Sequence, residues 1–100
     1  MRKLHWLIAL LLLGGCSGGR EGVAVETCTR GITEKLEGKS FKLDSNDMLA
    51  KAANDGADVI TISSTVVFDP GLPSESRQAF ECKARFNGDN ASVLSLNFLW

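Results

Sequence analysis

From Val23 onward, apolar residues recur with two different periods, and the change of period divides the chain. Val25, Cys28, Ile32 and Leu36 are spaced by three, four and four positions, which lines them along one face of a helix. Glu26, Arg30, Glu34, Lys35 and Glu37 fall on the wet side. Gly31 weakens such a helix by about 1 kcal/mol relative to Ala unless it admits a close neighbour. Gly38 suits the position just past a helix end. Residues 40–43 read as a short strand with Phe41 and Leu43 on one side. Asp44-Ser45-Asn46-Asp47 then supplies capping side chains and acids for the positive end of a second helix. That helix is expected through Met48, Leu49, Ala50, Ala52 and Ala53, with Gly56 as its stop.

Strict alternation then replaces the helical stripe. Val59–Phe68 puts Ile60, Ile62, Val66 and Phe68 on one face, and Thr61, Ser63 and Thr65 on the other. A loop, Asp69-Pro70-Gly71-Leu72-Pro73-Ser74, follows, in which Pro70 presets φ and Gly71 permits a type II turn. Residues 78–86 alternate again, with Phe80, Cys82, Ala84 and Phe86 opposite Ala79, Glu81, Lys83 and Arg85. Asn87-Gly88-Asp89-Asn90 is a hairpin signal. Leu94, Leu96, Phe98 and Trp100 form a third apolar face. Trp100 is expected in the core, the alternative being an exposed aromatic edge. The expected fold class is α+β in two layers. An N-terminal helix covers a three-stranded antiparallel meander, a second short helix lies between them in the chain, and one disulfide joins the layers.

The start of the chain has another character. Arg2 and Lys3 precede an unbroken apolar run from Trp6 to Leu13, and the small residues Gly14 and Gly15 stand before Cys16. This is the layout of a secretory leader. Its apolar run is shorter than the roughly 20 residues a membrane-spanning helix needs. Leu13-Gly14-Gly15-Cys16 resembles the lipobox of bacterial lipoproteins. The resemblance implies cleavage before Cys16, a diacylglyceryl group on the Cys16 thiol and acylation of the new amino group. It divides the chain into residues 1–15 as signal peptide, 16–22 as a lipidated tether and 23–100 as one small domain. Ser17-Gly18-Gly19 is flexible, and Arg20 and Glu21 keep the tether solvated. Ser17 differs from the Asp that commonly retains such lipoproteins at the inner membrane. The resemblance therefore implies the outer membrane of a Gram-negative host, on its periplasmic face. No residue pattern beyond the leader identifies a domain family.

Lipidation uses one of the three cysteines and leaves a pair. In an oxidising compartment Cys28 and Cys82 are expected to join, the alternative being two buried free thiols. The pair is 54 positions apart, for which chain entropy gives about 4 kcal/mol of stabilisation. The two patterns agree independently, because Cys28 lies on the helical stripe and Cys82 on the inward set of its strand.

Composition narrows the chemistry. Loss of Arg2 and Lys3 leaves nine Lys+Arg against twelve Asp+Glu, a formal charge of −3. Nucleic acid is not an expected partner, since it calls for a basic patch or stripe. The chain has one histidine, His5, which leaves with the leader, and no tyrosine. Serine–histidine and cysteine–histidine catalysis are thus excluded from the mature chain. Serine–lysine chemistry or a carboxylate pair such as Asp55 and Asp58 remains for a hydrolase, without a motif to select either. No metal or cofactor is expected. Asp44, Asn46 and Asp55 imitate a calcium loop, but Leu49 stands where the turn needs Gly and Asp55 where Glu is usual. The expected function is a non-catalytic binding or accessory module, held to the membrane by its lipid and acting on an envelope protein. An envelope inhibitor or phage-derived exclusion factor is the alternative, and a carboxylate hydrolase stands behind both. The expected contact surface is the polar face of the sheet, represented by Thr61, Thr65, Lys83 and Arg85.

Overall fold

The computed structural model describes residues 19–99. The chain forms α1 (Gly19–Lys35), β1 (Phe41–Leu43), α2 (Ser45–Ala50), β2 (Ala52–Asn54), β3 (Val59–Phe68), β4 (Ser76–Asn87) and β5 (Asn90–Leu99). The architecture is α+β: α1 and α2 lie against one face of an antiparallel sheet, and a Cys28–Cys82 disulfide ties α1 to β4. The apolar stripe accounts for the packing of α1. Val25, Cys28, Ile32 and Leu36 are all buried, together with Ala24. They meet Ile60, Ile62 and Val66 of β3 and Phe80, Cys82, Ala84 and Phe86 of β4 in a single cluster. The helix begins at Gly19, so residues 19–22, expected to be tether, are its first turn. Arg20 fastens that turn. Its guanidinium lies 4.6 Å from the Phe86 ring centroid and donates to the Ala57 carbonyl at 3.2 Å.

Gly31 admits a close neighbour. A Cβ there would lie 2.8 Å from Val93 Cγ2 of β5, so the missing side chain lets helix and strand approach.

The sheet is wider than the expected meander. β3, β4 and β5 form its body, while β1 and β2 both pair with the outer edge of β3. β1 covers residues 66–68 of that edge and β2 covers 60–62. Between them, α2 stands opposite Ser63–Thr65. The second helix was expected to include Ala52 and Ala53, and it stops at Ala50. The Lys51 N–H bonds back to the Asp47 carbonyl at 3.1 Å. Ala52–Asn54 then becomes a strand, because the open backbone groups of β3 offer ladder bonds that outweigh the helix propensity of two alanines.

A bulge changes the pattern in β5. Ala84 pairs with Val93 and Lys83 with Ser95, leaving Leu94 as the extra residue. Leu94 was expected on the inward face and is 49% exposed, while Val93 faces Gly31. Past the bulge, Leu96 and Phe98 return to the core side as the alternation predicts. Trp100, like Cys16 and the rest of the leader and lipobox, lies outside the described residues.

Candidate functional site

Among the described residues both helices lie on one side of the sheet, and no element covers the other. Strand register sorts the uncovered face into cross-strand rows. They are Lys42–Val67–Arg77, Thr65–Ala79–Leu99, Ser63–Glu81–Asn97, Ala53–Thr61–Lys83–Ser95 and Val59–Arg85–Ser92. This face carries Lys42, Arg77, Lys83 and Arg85 with Glu81, and Asp55 reaches it from the β2–β3 turn to Thr61 and Lys83. Removing those four cations and two acids from the nine and twelve leaves five cations and ten acids elsewhere. The strand positions of the uncovered face are thus rich in cations, and acids from neighbouring turns stand at its margins.

The four residues expected to make a contact surface separate into three environments. Thr61 and Lys83 are cross-strand partners, and both are tied to Asp55 at the β2–β3 turn. The Thr61 hydroxyl donates to Asp55 Oδ2 at 3.0 Å, and Lys83 Nζ lies 3.3 Å from the same oxygen. The Thr61 hydrogen bond, with Lys83 adding a second bond and its charge, holds the Asp55 carboxyl below its ordinary value. Arg85 is exposed at the strand end nearest the start of α1. Thr65 belongs to a cleft at the opposite end.

That cleft, about 530 Å³, runs between α2, the outer face of β1, β3 and β4, and the loop after β3. Lys42, Lys51, Thr65, Val67, Arg77, Asp44, Asp47 and Glu75 contribute to its walls. Its carboxylates are already engaged. Asp44 Oδ1 accepts from the Asp47 N–H at 3.1 Å and caps α2. Asp47 accepts from the Ser64 hydroxyl and pairs with Lys51 at 3.2 Å. Ser64, then Lys51, lowers the Asp47 pKa. Glu75 Oε1 accepts from the Gly71 N–H at 2.8 Å. By contrast, neither Lys42 nor Arg77 has a carboxylate oxygen within 4.0 Å among the described residues.

Ser64 was absent from the expected site. Its position, two residues from both Ile62 and Val66, assigns it to the inward face, where it is buried. A polar residue in an apolar row was the available signal, since a buried hydroxyl requires a partner. The partner itself, Asp47 from α2, was not legible because α2 had no predicted place against the sheet.

The arrangement offers hydrogen-bond donors and positive charge for binding. Of Asp55 and Asp58, the carboxylate pair singled out for hydrolysis, the Asp55 side chain holds Thr61 and Lys83, and the Asp58 backbone carbonyl accepts from the Phe86 N–H at 2.7 Å. Among the described residues, no group of three or more metal-ligating side chains comes together, and no helix is long and apolar enough to cross a membrane. Comparison with family models, curated proteins and solved structures finds no match for this chain.

Proposed function

We propose that this protein is an outer-membrane lipoprotein whose periplasmic domain works by contact, as a non-catalytic binding or accessory module for another envelope component. The leader, Leu13-Gly14-Gly15-Cys16 and Ser17 support the anchor and its destination. The observation that carries the binding role is the uncovered sheet face, whose strand positions present four cations and one acid. A sheet face left without a layer, with cations along its strands, suits an acidic partner by complementarity. Thr65 and Arg85 lie at the two ends of this surface, with Thr61 and Lys83 braced by Asp55 between them.

The test is site-directed photocrosslinking in intact cells. A crosslinking residue at Ser63, central on the uncovered face, should give a discrete adduct, and one at Glu34 on the exposed side of α1 should not. The membrane fraction should hold the chain cut before Cys16 and carrying acyl mass. Equal labelling from both positions would overturn the contact surface. The same acylated, membrane-bound product from Cys16→Ala would overturn the anchor.

A further inference from the structure

The geometry points to the cleft between Lys42 and Arg77 as a binding site for a phosphate monoester group. This goes beyond the binding-module reading and can stand or fall separately. Lys42 and Arg77 flank Val67 in one cross-strand row. Neighbouring strands lie about 4.8 Å apart, so the two backbones are about 10 Å apart. Both side chains line the same cleft and are long enough to meet over Val67. Thr65, two residues along β3 on the same face, adds a hydroxyl donor.

Carboxylates and cations are equal in number around this cleft, and their engagement differs. Asp44, Asp47 and Glu75 are taken up by the α2 cap, by Ser64 with Lys51, and by the Gly71 N–H. At the neighbouring loop, Asp69 accepts from the Ser74 hydroxyl at 2.9 Å. Those bonds hold the acids of this end to the fold, and Lys42 and Arg77 are left without an ion-pair partner among the described residues. Two cations suit a dianion better than a single carboxylate. The arginine fork can hold two phosphate oxygens while the lysine supplies a point charge. A cleft of about 530 Å³ lies within the range of small-ligand sites.

Position agrees with access. The first turn of α1 is fastened to Ala57 and Phe86, at the far end of the strands. Arg77 and Arg85 are eight positions apart on β4, about 26 Å of strand. The Lys42–Arg77 cleft therefore lies at the end of the sheet remote from the first described turn of the helix.

The test is a titration of the full chain, followed by backbone amide NMR, with glycerol 3-phosphate, succinate, and vesicles containing phosphatidic acid. Saturable shifts at Lys42, Thr65, Val67 and Arg77 are expected with a phosphate monoester. Lys42→Ala and Arg77→Ala should each weaken binding at least about tenfold, as loss of a charge-assisted hydrogen bond requires. Arg85→Ala, on the same face at the other end, should leave it unchanged. Glu75→Gln should tighten it by removing a nearby negative charge. Saturation with glycerol 3-phosphate supports a soluble ester, and Lys42- and Arg77-dependent binding to vesicles alone supports a lipid-borne one. Equal affinity for succinate overturns the phosphate assignment. Equal loss in Arg85→Ala, or no saturable binding to either phosphate form, overturns the site. None of these outcomes depends on acylation or on a protein partner.

Discussion

The body of the domain and its β1–α2–β2 edge are joined to the same strand and held by different forces. In the body, α1 lies across β3, β4 and β5 through a continuous apolar cluster and a cross-link between residues distant in sequence. The edge consists of two three-residue strands and a six-residue helix. A helix so short has little stability of its own. The edge is instead fixed by Met48, fully buried, by the Asp44 cap, and by Asp47 reaching Ser64. Apolar periodicity organises one region, and a few specific bonds organise the other. The candidate phosphate cleft lies where they meet, so its walls depend on the less redundant part of the fold.

The sharpest way to break the comparison is to cut the cross-link. Cys28 and Cys82 are both fully buried, and their Cα atoms are 6.2 Å apart. Cys82→Ser should cost about 2–5 kcal/mol, read as a lower urea midpoint or rapid degradation in the periplasm. Stability unchanged by the substitution would show that the apolar cluster alone holds the body together.

Met48→Ala tests the other region. Truncating a buried Met costs about 2–5 kcal/mol, and the lower end is expected here because the site lies at the edge of the sheet. The informative measurement is residue-resolved hydrogen exchange. Ala52–Asn54 should exchange faster while β4 and β5 keep their protection, as expected for a local opening. Equal acceleration throughout would make edge and body one cooperative unit.

This contrast also explains what the sequence disclosed. The α1 stripe and the alternation through Ile60, Ile62, Phe80 and Cys82 report burial directly, so the helix-on-sheet layers and the disulfide could be read from spacing. The edge could not. Ala52 and Ala53 carry a helical preference, and only the open side of β3 makes them a strand. The bulge was hidden for a related reason. Val93, Leu94 and Ser95 break the alternation, and the approach of Val93 to Gly31 determines which residue turns in. The contact surface was partly legible. Thr61, Thr65, Lys83 and Arg85 were assigned by parity to the open face. Parity carries no information about Asp55, which occupies Thr61 and Lys83, or about Lys42, which β1 brings beside Val67.

Gly31→Ala probes the body on a finer scale. Helix propensity alone would stabilise α1 by about 1 kcal/mol. The added methyl would meet Val93 Cγ2 at 2.8 Å, and overpacking of this kind costs about 1–3 kcal/mol. Val93 is β-branched and rotates with difficulty, so a net loss of about 1 kcal/mol is expected from the difference. Adding Val93→Ala should recover most of it. A stabilised single variant would mean that β5 yields easily at its bulge.

The smallest expected effect separates the regions by pH. Asp47 of the edge is held below its ordinary value of 3.8, first by the Ser64 hydroxyl and then by Lys51. A carboxyl whose folded pKa is depressed contributes stability that is fully present above the unfolded value. That contribution is lost as pH falls through the folded one. Ser64→Ala removes the leading cause. Its stability deficit, measured by urea unfolding, should therefore be constant from neutral pH down to about 4 and shrink below it. Thr61→Val should behave alike through Asp55, whose leading cause is the Thr61 hydroxyl. The location of the change should differ. Hydrogen exchange under mildly acidic conditions should show the Ser64 variant loosening around α2 and the Thr61 variant loosening at the β2–β3 turn. Asp55 is exposed and Asp47 partly so, and solvent therefore keeps the effects modest. A deficit that grows on acidification would reverse the sign, and Asp47 would then have to be bound to Ser64 as the protonated acid.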